Sequence, residues 1–397
     1  MNSQNQKGRN AFPASKLLLI AAVVALAACS RSSSPDGGVK SGNTSQFALS
    51  DGTYPYAGLA QGKDGNLYGT TFSGGTNNAG TVYKFSPGSS APTTIYSFGA
   101  NNTDGAAPYA SLVAGKDGNL YGTNSQNGAN GKGTVFQITP SGALTTLHAF
   151  GAADDGAEPS ANLIQANNGD FYGTTQAGGT YGGGTIYKIT STGVVTTFYS
   201  FGGVANDAAG PYAGLVQASD GNFYGTTPLG GANGEGAIYK LTSAGVYSIL
   251  YSFTAIESDK NADGALPYAG LVQGSDGNLY GATSYGGANN FGTIYKITPS
   301  GTFTTLYSFT GKTDGAHPRA TLEKVGDSFY GTASGGGANN LGTAFKVTSG
   351  GSLSTLYAFG ANDTDGASPY GALFKASNGG LYGTTLGSGT GKVYQLN

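Results

Sequence analysis

The sequence predicts an all-β fold, a seven-bladed β-propeller of four-stranded antiparallel blades, on three observations. A Leu/Phe-Tyr-Gly motif recurs at Tyr68, Tyr121, Tyr172, Tyr224, Tyr280, Tyr330 and Tyr382, at spacings of 53, 51, 52, 56, 50 and 52 residues. Each interval holds four short runs rich in Tyr, Ile, Val, Leu and Thr, parted by turn residues and without a helical period. Finally, the last unit stops one strand short at Val393-Tyr394-Gln395-Leu396-Asn397, and the missing strand stands at the start of the pattern, Gln46-Phe47-Ala48-Leu49-Ser50.

Composition agrees. Of 397 residues, 71 are Gly and only 10% are charged, where about 7% Gly and about 25% charged are usual. A coiled coil and a charge-driven disordered chain are excluded. The 19 basic against 21 acidic residues leave no surplus to neutralise phosphates, so nucleic acid is not an expected partner. The 26 Tyr and 19 Phe supply a large core.

Within a unit the strands are named a (YAGLVQ), b (NLYGTT), c (TIYKIT) and d (TTLYSF). Asp-Gly pairs such as Asp64-Gly65, Asp117-Gly118, Asp220-Gly221 and Asp276-Gly277 join a to b. They favour the positive φ of a tight hairpin. Ser141-Gly142 and Ser300-Gly301 do the same between c and d. Four-stranded units of this length without helices are the mark of a propeller. The N-terminal strand then completes the seventh blade and leaves no open edge.

Residues 1–28 lie outside this pattern. Lys7, Arg9 and Lys16 precede an apolar run from Leu17 to Ala28 that is short for a membrane span and suits a secretory signal. It ends in Leu26-Ala27-Ala28-Cys29, which resembles the lipobox of bacterial lipoproteins. That resemblance implies cleavage before Cys29 and acylation of its thiol, at about 0.8 kcal/mol of membrane affinity per buried CH₂. Cys29 is the single Cys, so no disulfide forms. Ser30, by resemblance to enterobacterial sorting, favours the outer membrane. Residues 29–45 read as a flexible tether and 46–397 as the propeller. The expected location is the bacterial cell envelope, with the chain a lipid-anchored monomer.

The seven Tyr-Gly units, the Gly-Gly-Ala-Asn loops and the Tyr-Lys of strand c (Tyr83-Lys84, Tyr187-Lys188, Tyr239-Lys240, Tyr295-Lys296) resemble the GloVer-type choice-of-anchor tandem repeat family of bacterial exported proteins. The resemblance spans 46–397 and implies a propeller at the envelope without assigning a chemistry.

With strand a innermost, the d-to-a and b-to-c loops share one face, and their variety makes it the functional candidate. Three constellations lie there. The start of strand a reads Tyr56, Tyr109, Ser160, Tyr212, Tyr268, Arg319, Tyr370. These side chains either line a channel mouth that grips a sugar or peptide, or wedge between blades as repeat packing. One column of the b-to-c loop varies freely: Ala79, Lys132, Gly183, Glu235, Phe291, Leu341. Phe291 and Leu341, with Tyr285 and Phe72, are expected to form an exposed partner patch, or else the column is a tolerant loop tip. The third is the aspartates of the d-to-a loops, Asp51, Asp104, Asp155, Asp207, Asp263, Asp314 and Asp365. Asp259-x-Asn261-x-Asp263-Gly264 has the alternating oxygens of a Ca²⁺ loop, but its ninth position is Pro267 and its twelfth Gly270. Aspartates capping their own turns would account for all seven loops.

Enzyme signatures are sparse. His148 stands where strand d usually has Tyr and reads as a packed substitute; His317 sits in a d-to-a loop. No G-x-S-x-G elbow is present, and the strand-a segments contribute one glutamate, Glu323. The sequence therefore points to a binding or scaffold module with no catalytic residues and no required cofactor, recognising an envelope or extracellular protein or glycan. The alternative is a metal-dependent hydrolase or lyase of lactonase type, with its site in the central channel.

Overall fold

The Tyr-Gly of strand b sets the geometry of every blade. In the first blade, Leu67–Thr71 (b) pairs antiparallel with Thr81–Phe85 (c), which pairs with Thr93–Ser97 (d), while the short Ala60–Gln61 (a) flanks b. In this computed structural model the order a-b-c-d recurs in seven sheets. The structure describes residues 44–88, 91–258, 261–361, 365–387 and 391–397. The signal segment, Cys29 and the tether up to residue 43 lie outside the described residues, as does Asp259.

Glycine is required beneath the aromatic residue of strand c. Tyr83, Phe136, Tyr187, Tyr239, Tyr295, Phe345 and Tyr394 are fully buried. Their rings lie over Gly69, Gly122, Gly173, Gly225, Gly281, Gly331 and Gly383, where any Cβ would collide with the ring. The strand-b tyrosine is tied to its own hairpin: Tyr68 donates to Asp64 (2.6 Å), Tyr121 to Asp117 (2.8 Å), Tyr224 to Asp220 (2.7 Å) and Tyr280 to Asp276 (2.8 Å). This explains why an Asp precedes that Tyr by four residues. In the third and seventh blades Asn168 and Asn378 take the Asp's place and still meet Tyr172 and Tyr382.

The core lies between blades rather than within them. Seven buried clusters each join residues of two neighbouring blades. Aromatic pairs cross these seams, among them Tyr121–Phe171 (4.1 Å between centroids), Tyr172–Phe223 (4.4 Å) and Tyr280–Phe329 (4.1 Å). Such pairs contribute about 0.5–1.5 kcal/mol beyond their buried area.

The ring closes as expected. Thr44–Ala48 pairs antiparallel with Lys392–Leu396, from Thr44↔Leu396 to Ala48↔Lys392, so the closing strand starts two residues earlier than position 46. Leu49 occupies the slot that Phe98, Phe150, Phe201, Phe253, Phe309 and Phe359 fill elsewhere. Its amide donates to Gly391 (3.2 Å), as theirs do to Gly80, Gly133, Gly184, Gly236, Gly292 and Gly342. One cluster joins Leu49, Leu59 and Tyr83 to Tyr382 and Val393 across the junction of the chain's two ends. On the inner edge, the Ser377 amide donates to Gln61 (2.9 Å), closing a ladder also seen from Lys116 to Gln165 and from Asn167 to Gln217.

The hairpin aspartates carry a pH signature. Burial alone would raise the carboxyls of Asp64, Asp117, Asp220 and Asp276, but hydrogen bonds from the tyrosine, the neighbouring Asn and the backbone outweigh it and hold them below the usual 3.8. A depressed folded pKa gives stability that is present above the unfolded value and lost as pH falls through the folded one. The melting temperature should therefore decline as pH drops from about 4 towards 2. In the fourfold Asp→Asn variant, which two natural blades already imitate, that decline should be shallower by thermal denaturation monitored with circular dichroism.

Candidate binding site at the channel mouth

Each d-to-a loop is built to aim one side chain at the axis. In six of the seven loops the Asp reaches back to the amide that opens the loop and accepts from the strand-d tyrosine or its substitute; Asp51, exposed in the loop after Phe47, stands outside this arrangement. Asp104 takes Ala100 N (3.2 Å) and Tyr96 OH (2.9 Å), and Asp207 takes Gly202 N (2.8 Å) and Tyr199 OH (2.8 Å). Asp314 and Asp365 repeat the arrangement. His148 substitutes for the tyrosine as expected, with Nε2 at 2.8 Å from Asp155 and its ring edge-on to Phe150. The aspartates thus cap the loops, though backwards onto the first loop amide.

These contacts also decide what Asn261 and Asp263 do. Asp263 accepts Tyr251 OH (2.8 Å), Thr254 N (2.8 Å) and the Thr254 hydroxyl. Asn261 Oδ1 accepts Gly264 N and Gly287 N (both 3.1 Å). The side-chain oxygens of Asn261 and Asp263 accept from the loop and from the strands beside it, while Asp259 lies outside the described residues. Among the described residues there is no group of three or more His, Cys, Asp or Glu placed to hold a metal ion.

The residue before the loop proline lies in the left-handed region in every blade: Tyr54 (φ 56°), Ala107 (57°), Glu158 (58°), Gly210 (60°), Leu266 (53°), His317 (56°) and Ser368 (50°). For a non-glycine residue this costs about 1–3 kcal/mol. The strain is held by a bond between blades. The amides of Ala107, Glu158, Leu266, His317 and Ser368 donate to Ala79, Lys132, Glu235, Phe291 and Leu341 at 2.8–3.0 Å. The variable b-to-c column is therefore a backbone latch, which is why its side chain varies. The following proline seats on the glycine that opens strand c of the preceding blade: Pro108 on Gly80, Pro159 on Gly133, and Pro55 on Gly391 at the junction.

The next residue then reaches the axis, and the six large side chains meet in a ring. Tyr56 stacks on Tyr109 (4.7 Å), Tyr109 meets Tyr212 edge-on (5.2 Å), and Tyr212 meets Tyr268 (5.4 Å). The Arg319 guanidinium lies over Tyr268 (5.1 Å) and Tyr370 (5.4 Å), and Tyr370 returns to Tyr56 (5.8 Å). Ser160 is small enough to let Tyr109 and Tyr212 meet across it. The predicted mouth residues are brought together, as a mutual ring rather than as wedges in separate seams. Burial, with the neighbouring tyrosines, pushes the Tyr109 hydroxyl well up, and burial also lifts Tyr212 to about 12. A cavity of ≈ 270 Å³ is lined by strand-a residues of the third to sixth blades, among them Asn162, Gln165, Val216, Gln217 and Thr321, and by none of the ring residues.

Phe291 and Tyr285 are placed differently from expectation. Neither is an exposed patch; both are half-buried around His317, whose ring lies 4.7 Å from Tyr285 and 5.8 Å from Phe291. Phe291 also covers Gly311, and Leu341 packs on the seam between the sixth and seventh blades. The loop folds these side chains inward because its Asn holds it down: Asn289 donates to Phe309 O (3.1 Å) and Asn339 to Phe359 O (3.0 Å). Burial lowers the pKa of His317 and keeps it neutral. The pre-proline column was missed in the sequence. Its signal was legible as one free position in an otherwise fixed x-Pro-Tyr. It sets Tyr54 (43% exposed) and the exposed Glu158 on the rim of the mouth.

The sequence matches the Gloeobacter/Verrucomicrobia repeat over residues 33–219, 100–260 and 210–397. The chain belongs to this family. None of the curated proteins matches it by sequence. Among solved structures it is similar to a streptogramin B lyase, with a TM-score of 0.61 at 16% identity over 90% of this chain and 98% of the other. It is also similar to the extracellular domain of a one component system from Bacteroides thetaiotaomicron, with a TM-score of 0.59 at 10% identity over 89% of this chain and 42% of that one. A third is an oligogalacturonate lyase from Vibrio parahaemolyticus, with a TM-score of 0.55 at 11% identity over 91% and 99%. At these identities the likeness is one of fold.

The commitment of Asp263 to its loop has a consequence. Asp263→Ala should destabilise by about 1–3 kcal/mol, the cost of removing a charged acceptor from the part-buried Thr254 amide and Tyr251 hydroxyl. Millimolar Ca²⁺ should leave the melting temperature of both proteins unchanged; a Ca²⁺-dependent rise in the parent chain alone would show that the loop binds the ion.

Proposed function

We propose that this protein is a binding module of the bacterial cell envelope, held to the outer membrane by acylation of Cys29, that recognises a protein or glycan through the ring of Tyr56, Tyr109, Tyr212, Tyr268, Arg319 and Tyr370. One observation carries the reading. Six side chains from six blades converge on the axis, and one of them is a cation flanked by two aromatic faces. Repeat packing explains a tyrosine at each position. It gives no reason for a guanidinium where every other large residue is Tyr. Aromatic faces with hydroxyl groups around a single charge suit recognition better than turnover. The alternative, a metal-dependent hydrolase or lyase in the channel, shares a fold with the two lyases above. Its strand-a ligands would have to start from Glu323. That carboxylate is pushed up by burial and already accepts the Lys375 amide at 2.9 Å.

Two measurements test this. Metabolic labelling with a palmitate analogue should mark the chain and be abolished in Cys29→Ala; labelling that persists would refute the anchor. An array of glycans and peptides probed with the purified soluble chain should show a ligand whose capture drops at least tenfold in Arg319→Tyr. A ligand held equally by both proteins would move the site away from the mouth. A stoichiometric divalent ion on which bond cleavage depends would favour the enzyme.

A further inference from the structure

We infer that Arg319 is the anchoring subsite for a carboxylate carried on a sugar ring, so that the ligand class of the mouth is an acidic oligosaccharide containing uronic acid residues. The inference rests on the binding reading above and sharpens it. Tyr268 and Tyr370 occupy the surroundings of the guanidinium through their rings, at 5.1 and 5.4 Å. Contacts of this kind use the charge and leave the in-plane N–H groups to find acceptors. Nε has no hydrogen-bond partner, and no carboxylate pairs with Arg319, among the described residues. His317, two residues before it, is held neutral by burial and brings no negative charge. Glu158 projects on the rim of the third blade, three blades from Arg319. Among the described residues Arg319 is a cation without a counter-charge, in a chain of net charge −2. Planar, two-oxygen acceptors are what a guanidinium edge fits best.

The aromatic rim selects the carrier of that carboxylate. Tyr54 is 43% exposed and lies nearly parallel to Tyr56, 6.1 Å away with 13° between the planes. Tyr56 in turn meets Tyr370, the ring beside Arg319. A flat, accessible ring thus stands two tyrosines from the cation, around a mouth lined with hydroxyl groups. A uronate brings a carboxylate, a C–H face for stacking and several hydroxyls on one rigid ring. An acidic peptide side chain brings the charge on a flexible stem without the flat face.

The repeat supplies the control that keeps this testable. Arg319→Tyr restores the residue that five other blades carry, so it removes the charge while keeping the ring's packing. Isothermal titration of the purified chain uses tetragalacturonate and tetramannuronate, the same oligosaccharides methyl-esterified, and a peptide of four glutamates. The acids should bind. Esterification and Arg319→Tyr should each weaken binding about 10- to 100-fold, the range for a charged hydrogen-bonded contact. The combination should add little to either alone. Tyr54→Ala should weaken the acids without altering the melting temperature. Equal affinity for acid and ester, or binding of the acids that survives Arg319→Tyr, would overturn the carboxylate subsite while leaving a binding module in place. Arg319-dependent binding of the peptide with none of the oligouronates would overturn the glycan assignment. Absence of binding here overturns this inference alone if the array finds another ligand sensitive to Arg319→Tyr, and the functional reading with it if the array finds none.

Discussion

The structure depends on apolar burial between blades. No single sheet of this protein owns a core: each of the seven clusters needs the face of one blade and the facing side of the next. A fully buried Phe or Tyr removes roughly 150–250 Å² from water, and such residues fill all seven seams. Near-identical units that cannot bury their surface alone must stack. Units that stack at a constant rotation must either stop at exposed ends or close on themselves. Seven seams for seven blades is the closed solution. It is why the first strand must be given to the last blade.

That constraint reaches the mouth through the loops. A tight seam brings the proline of one blade onto the strand-c glycine of its neighbour and the pre-proline amide onto the neighbour's loop carbonyl. Together these pin a left-handed residue just before the axis. The side chain after the proline has one direction left to take. The Tyr and Arg ring is therefore an outcome of packing geometry. The chemistry it presents is set by which residue occupies each of the seven equivalent positions, and Arg319 and Ser160 are the two departures.

Much of this was legible in the sequence. The period, the four strands, the turns and the closing strand all follow from local patterns with a fixed spacing, and the paired ends of the chain carried the closure. The mouth residues were identifiable because Tyr56 and its equivalents recur at the same register. Other features were not readable, because they depend on contacts between repeats. Phe291 looked like a loop-tip aromatic. Only the seam shows that it folds inward over Gly311 beside His317. Asn261 and Asp263 look like cation ligands by spacing, but their oxygens accept from amides and hydroxyls of the loop and of the neighbouring strand d and b-to-c segment. The left-handed pre-proline residue breaks the usual preference of that position for extended backbone. Hence no local rule announces it.

Closure by the donated strand is the most directly testable part of the account. Removing Thr44 to Leu49 from the chain takes away one edge strand, the partly buried Phe47 and the buried Leu49. From those two side chains alone about 3–5 kcal/mol of burial would be lost. Guanidinium unfolding of the shortened and full chains should show a midpoint lowered by that loss, with the protein tending to associate through the exposed edge of Lys392–Leu396. An unchanged midpoint with a monodisperse product would mean that the ring does not need its first strand, and would contradict the closed propeller.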